Sequence, residues 1–204
     1  MKIGIIDYGM GNIQSVKNAI EKLGYSADLI SDPTALPNYS FLILPGVGAF
    51  PNAMNKLKES NLDKAIFKHV ELQKPILGIC LGMQLLFSKS YEFGEKAGLG
   101  LVDGEVLPFS NYITEKVPHI GWNNAFAKKS EYTNFEGDYY FVHSFFCKTN
   151  NPEDVMFVSN YDIDYCSAVE IENRIFGVQF HPEKSQTLGL NLLKYILQKC
   201  SRKG

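Results

Sequence analysis

The N-terminal part of the chain alternates short apolar runs with helix-periodic faces, and few folds accept that alternation. Lys2–Ile6 reads as a strand, after which Ile13, Val16, Ala19, Ile20 and Leu23 share one helical face that Gly24 can close. Ser26–Ile30 and Phe41–Leu44 read as further strands, and Ala53–Lys58 and Leu62–Val70 as helical faces. Ile76–Ile79 is a buried strand followed by a helix from Leu81. Parallel strands need crossover connections, and right-handed crossovers place helices on both faces of one sheet. From about Gly98 the pattern changes to strand-like segments: Leu101–Leu107, Asn124–Ala127, Tyr139–Phe145, Met156–Tyr161, Ser167–Ile171 and Ile175–Phe180. A tight hairpin turn is expected at Asn173-Arg174 and a final helix over Leu188–Gln198. The expected architecture is α/β: an open, largely parallel sheet with helices on both faces, plus an antiparallel C-terminal extension. No linker or low-complexity segment interrupts it, so residues 1–204 read as a single domain.

Composition narrows the function. A chain of 204 residues that is 45% hydrophobic, with a net charge of -2, carries no basic footprint for nucleic acid. Its first apolar stretch meets Asp7, too soon for a signal peptide or a membrane span, which gives the expectation of a cytoplasmic protein with no membrane partner. Cys80, Cys147, Cys166 and Cys200 show neither a CxxC pair nor zinc-type spacing with His69, His119, His143 and His181. Reduced thiols are therefore expected, with no metal and no cofactor.

One thiol stands apart. In ILGICLGMQLLF, Gly78, Cys80 and Gly82 form a G-x-nucleophile-x-G elbow between a buried strand and a helix. The sharp turn needs glycine on either side, and the N-terminus of the following helix favours negative charge on the sulfur. A cysteine merely packed at a strand end would also fit. The stretch IFGVQFHPEKS supplies a base and an orienting carboxylate, because Pro182 keeps the segment extended and so turns His181 and Glu183 to the same side. FLILPGVGAF ends a strand in Gly46, Val47 and Gly48, whose backbone can aim N–H groups at an oxyanion, or can be a plain strand-to-helix turn. A competing reading is a nucleotide-binding module built on Gly9, Gly11 and Asp28, although Gln14 stands where the third glycine of that motif belongs. A cysteine peptidase is a further alternative.

With GICLGMQ, LPGVGAF and FGVQFHPEKS in that order, the chain resembles the class I (triad) glutamine amidotransferases over essentially its whole length. The segments IGIIDYGMGNIQSVKNAIEKLG, PHIGWN and YFVHS are most similar to the branch that serves histidine biosynthesis, and unlike the anthranilate, carbamoyl phosphate and GMP synthetase glutaminases. The resemblance implies hydrolysis of L-glutamine by a triad of Cys80, His181 and Glu183. It assigns the oxyanion donors to Gly46, Val47, Gly48 and Leu81, with a flip of the Val47 peptide, and the substrate's α-amino and α-carboxylate groups to Gln84, Ser144 and Phe145. It implies a heterodimer with a cyclase subunit, a (β/α)8 barrel that receives the ammonia. Asn12, Pro118, His119, Gly121, Trp122 and Lys184 would lie at or near that interface, with Gly121 and the neighbouring asparagines suggesting a loop. Paralogues that supply ammonia for surface-sugar amidation are the nearest alternative. The chain departs from the family pattern at Phe145 and Phe146, where tyrosines are common, and at Val117, where methionine is frequent.

Overall fold

In the computed structural model, which describes residues 1–201, the alternation becomes β1 (Ile3–Ile6), α1 (Ile13–Lys22), β2 (Ala27–Ile30), β3 (Phe41–Gly46), α2 (Phe50–Glu59), α3 (Leu62–Glu71), β4 (Ile76–Cys80) and α4 (Leu81–Leu86). The remaining strands are β5 (Phe87–Ser90), β6 (Lys96–Ala97), β7 (Val102–Pro108), β8 (His119–Ala127), β9 (Gly137–His143), β10 (Phe145–Thr149), β11 (Val155–Tyr161), β12 (Ile163–Ile171) and β13 (Ile175–Val178), before α5 (Gln186–Ser201). The sheet runs β2-β1-β3-β4-β13-β12-β10-β7-β5-β6, and its core from β2 to β13 is parallel. β12, β10 and β7 continue it antiparallel, while β11, β8 and β9 fold over as a hairpin layer joined through β12.

β1, β3, β4 and β13 are buried on both faces, which is why they read as unbroken apolar runs. Alternate strand residues feed two cores. Ile3, Ile5, Phe41, Ile43, Leu77 and Ile79 pack with Val16 and Ile20 of α1 and Leu192, Leu193 and Ile196 of α5. Ile6, Leu42, Leu44 and Ile76 pack on the other side with Phe50 and Leu57 of α2, Ile66 of α3 and Leu85 of α4. The expected α/β sheet with helices on both faces is therefore present.

Several boundaries differ from the sequence expectation. β8 begins at His119, five residues before the expected Asn124, so Gly121, Trp122 and Asn123 lie in a strand and not in a loop. Its outward positions Ile120, Trp122 and Phe126 are exposed, which inverts the usual apolar-inside alternation. The expected strand Tyr139–Phe145 is broken at Ser144 into β9 and β10. The hairpin turn centres on Glu172 and Asn173, both left-handed at φ 50° and 56°, one residue earlier than expected, and the Arg174 N–H closes it on the Ile171 carbonyl at 2.9 Å. β5 and β6 carry no periodic signal and were not expected.

The elbow depends on close approach. Register pairs Gly46 with Cys80 across β3 and β4, and Val178 with Ile79 across β13 and β4. A Cβ on Gly82 would sit 1.8 Å from the Leu44 carbonyl oxygen, and one on Gly78 would sit 2.6 Å from the Gly82 carbonyl oxygen. Only glycine lets α4 leave the sheet so steeply. Gly82→Ala is expected to destabilise the fold by about 3 kcal/mol, the upper end for overpacking. Gly94→Ala, at φ +90° with no atom within 4 Å of the added Cβ, should cost only the ~1 kcal/mol of left-handed strain. Urea unfolding of the two variants checks the contrast, and equal losses would contradict it.

Candidate active site

The C-terminal ends of β3 and β4 and the segment after β13 enclose a pocket of about 360 Å³. Val47, Gly48, Cys80, Leu81, Gln84, Glu92, Pro118, Val142, His143, Ser144, Phe145 and His181 line it. Of the four thiols, Cys80 alone lines this pocket. Burial pushes Cys147 well up and Cys166 up to about 12, which leaves both as inert packing groups. Cys80 sits at φ 55°, ψ -113°, the strained turn that the glycine pattern predicts. The helix behind it is only six residues long. Its dipole is correspondingly small, so any positive partner for the sulfur has to be a side chain.

That partner is His181. Its Nδ1 lies 2.8 Å from Oε1 of Glu183, and both side chains are almost wholly buried. The pairing arises from a different geometry than expected: Pro182–Lys184 forms a single 3-10 turn, not an extended stretch, and the turn folds the carboxylate back under the ring. Ser185 pins the turn, donating to the His181 carbonyl at 2.7 Å and accepting the Tyr140 N–H at 3.0 Å. Among the described residues Nε2 of His181 makes no hydrogen bond; the Cys80 sulfur acts on the ring electrostatically, while its own Sγ contacts the Val142 carbonyl at 3.8 Å. Burial alone would lower the ring's pKa, but the sulfur and the Glu183 carboxylate outweigh it and push the pKa up to about 10. Both neighbours thus favour the charged form of the imidazole, against burial.

Gln84 projects from α4 into the pocket wall. Its Nε2 donates to the Phe145 carbonyl at 3.1 Å and to Oε1 of Gln179 at 3.0 Å, and Nε2 of Gln179 lies 3.9 Å from the Cys80 Sγ. Neither Gln179 nor Glu92 was singled out in the sequence. Glu92 caps α2 by accepting the Phe50 N–H at 2.7 Å, and burial raises its pKa. Among the described residues it is the one carboxylate lining the pocket, with nothing in YEFGEKAG to announce it. Gly46 stands behind the pocket, where a Cβ would come 2.5 Å from the Tyr8 hydroxyl. Ser144 and Phe145 line the pocket, whereas Phe146 packs on Phe109 at 4.9 Å in the core. The nucleotide reading finds no support: Asp28 accepts the Tyr39 hydroxyl at 3.1 Å and Asp7 closes the glycine turn on Gly9 N–H at 3.0 Å.

Residues 4–199 match the family Glutamine amidotransferase class-I. An imidazole glycerol phosphate synthase subunit HisH from Wolinella succinogenes is 47% identical over 94% of this chain and 97% of its own. The HisH subunit from Aquifex aeolicus is 45% identical over 99% of each chain. The chain belongs to the class I glutamine amidotransferases, in the HisH branch. A crystal structure titled glutamine amidotransferase, 20% identical, superposes with a TM-score of 0.77 over 98% of this chain and 100% of that one, which speaks to the fold. Residues that the HisH resemblance assigns to a partner face sort into two groups. Trp122 is 49% exposed, meets Tyr140 edge-on at 6.0 Å, and shares that ring with the Lys184 ammonium, 5.8 Å above it. Pro118, after a cis bond, reaches the pocket rim, Gly121 adopts φ +137°, and Asn12 precedes α1 without a side-chain cap. His119, by contrast, is buried.

His119 belongs to an internal network. His143 Nδ1 is 2.8 Å from the Phe145 carbonyl and so donates. Its Nε2 then accepts from His119 Nδ1 at 3.1 Å, and Nε2 of His119 faces the Asn123 amide at 3.4 Å. Burial lowers the pKa of His119 to about 4 and, aided by neighbouring imidazoles, that of His143 to about 3; burial likewise takes His69 to about 4. Below pH 6.5 the unfolded chain therefore binds protons that the folded chain refuses. Stability conferred by these neutral rings is complete above 6.5 and falls as pH drops toward 3–4, by up to about 1.4 kcal/mol per pH unit for each ring. The sign is opposite for His181, whose contribution is complete below about 6.5 and is lost as pH rises through about 10. Urea unfolding followed from pH 6.5 to about 4 should show proton uptake approaching one for each of His69, His119 and His143, and a flat profile would contradict their neutral burial.

Proposed function

We propose that this chain is the glutaminase subunit of an imidazole glycerol phosphate synthase, with Cys80, His181 and Glu183 as its catalytic triad. The observation that carries the reading is the convergence of one strained, pocket-facing thiol with a buried His–Glu pair. In this mechanism the Cys80 thiolate attacks the side-chain carbonyl carbon of L-glutamine and a C–S bond forms. Negative charge gathers on the carbonyl oxygen, toward backbone N–H groups of the Val47–Gly48 segment and Leu81. The His181 imidazolium gives its proton to the departing amide nitrogen, the C–N bond breaks and ammonia leaves. The now neutral His181 accepts a proton from water, whose oxygen attacks the thioester; the C–S bond breaks, glutamate departs and the thiolate returns. Glu183 holds the ring in position and stabilises its charged form throughout.

Gln84 and Glu92 would receive the substrate's α-ammonium, and Ser144 and Phe145 its α-carboxylate. The pocket is of a size for one free amino acid. The ammonia is delivered to a cyclase subunit, a (β/α)8 barrel in a heterodimer, for formation of imidazole glycerol phosphate and the aminoimidazole carboxamide ribonucleotide in the cytoplasm. Its docking face comprises Asn12, Pro118, Gly121, Trp122 and Lys184, with His119 supporting that face from within. The exposed apolar row Ile120, Trp122 and Phe126 on β8 is consistent with such a face. Among the described residues no helix is long and apolar enough to cross a membrane. Residues 1–204 act as one amidotransferase domain.

The test is glutamate release measured for the chain alone, with the cyclase subunit, and with the cyclase plus its nucleotide ligand, alongside Cys80→Ser. Weak activity alone, strong stimulation by the liganded cyclase, and loss of at least about a thousandfold in Cys80→Ser are expected. Full activity of the isolated chain, or stimulation only by a sugar-modifying partner, would overturn the assignment.

A further inference from the structure

The amide of Gln84 cannot choose which end it turns to a ligand. The Phe145 carbonyl can only accept, so the Gln84 atom 3.1 Å from it is the NH₂. The second hydrogen of that group points at Gln179, 3.0 Å away, which must present its oxygen in return. This in turn aims the Gln179 NH₂ at the Cys80 sulfur, 3.9 Å off. The orientation of the Gln84 amide is thus held jointly by the Gln179 oxygen and by the Phe145 carbonyl, whose remaining acceptor site is filled by His143 at 2.8 Å. Strand register makes the meeting possible: Val178 pairs with Ile79, so the next residues, Gln179 and Cys80, emerge side by side.

With both Nε2 hydrogens of Gln84 engaged, its Oε1 is what remains for a ligand, and an amide oxygen only accepts. Glu92 lines the same pocket, with Oε2 engaged by the Phe50 N–H and Oε1 left over. One neutral and one anionic acceptor together suit an ammonium group. Gln179 itself is 0% exposed and touches no ligand. Building on the glutaminase reading, we infer that Gln179 is a positioning residue that makes the site selective for free α-amino acids. By accepting from Gln84 it commits that amide to offer oxygen to the substrate's α-ammonium, and by donating to Cys80 it ties the nucleophile to the same arrangement.

Loss of the Gln179 oxygen would leave a Gln84 hydrogen buried without a partner, and the amide would turn to satisfy it. The penalty falls on substrates that carry an α-ammonium. The experiment compares L-glutamine with glutaramate, the same amide without the α-amino group, using the full chain in complex with the cyclase subunit. In Gln179→Met the preference for glutamine over glutaramate in kcat/KM should fall about tenfold, chiefly through the KM for glutamine. Gln179→Glu keeps an acceptor for Gln84 but replaces the donor beside the sulfur with an anion. It should retain the preference while kcat drops for both substrates, and it carries the test by itself should the methionine variant not fold. Equal losses on both substrates in Gln179→Met, or a collapsed preference in Gln179→Glu, would overturn the inference. Failure of the wild-type complex to hydrolyse glutamine would instead overturn the glutaminase reading, and this role with it.

Discussion

A buried imidazole set between a sulfur and a carboxylate is the interaction on which the site depends. His181 lies in an environment that by desolvation alone would disfavour its proton, and the Cys80 sulfur and Glu183 favour it instead. Removing either neighbour hands control of the ring back to burial. The same fact explains why the segment after β13 is pinned so thoroughly, by the His181 N–H on the Tyr140 carbonyl at 2.9 Å and by the two hydrogen bonds of Ser185. A charge at so low a dielectric holds only while its partners are fixed.

The sheet supplies that fixity. Cys80, Gly46 and Gln179 stand abreast because three parallel strands end in register, and the thiol's left-handed backbone is tolerated because both flanking strands are buried and paired. Glycines at 78 and 82 let α4 and the strand ends approach to distances that no side chain permits. The antiparallel half contributes Val142, His143, Ser144 and Phe145 to the pocket lining. There the Phe145 carbonyl gathers Gln84 and His143 and so joins the pocket to the buried histidines of β8 and β9.

Much of this was legible in the chain. Unbroken apolar runs at β1, β3 and β4 identified a parallel sheet because burial on both faces leaves no room for polar alternation. The elbow was legible because its glycines are a steric requirement. His181 and Glu183 were paired correctly but for the wrong local reason, since a 3-10 turn and not extension brings them together. β8 was misjudged before Asn124 because a strand that exposes its apolar side gives no core-facing signal. Glu92 and Gln179 were missed because their roles come from where tertiary structure brings their amide and carboxylate atoms, and a glutamine or glutamate amid ordinary neighbours carries no local mark of that.

The central claim concerns the charge on one ring, and nuclear magnetic resonance titration of His181 in the full chain measures it directly. In the wild type the ring should remain protonated through neutral pH and lose its proton near 10. In Cys80→Ala, with one acidic neighbour gone, the transition should move markedly downward. A ring already neutral at neutral pH in the wild type, with a titration that Cys80→Ala leaves unchanged, would contradict the account.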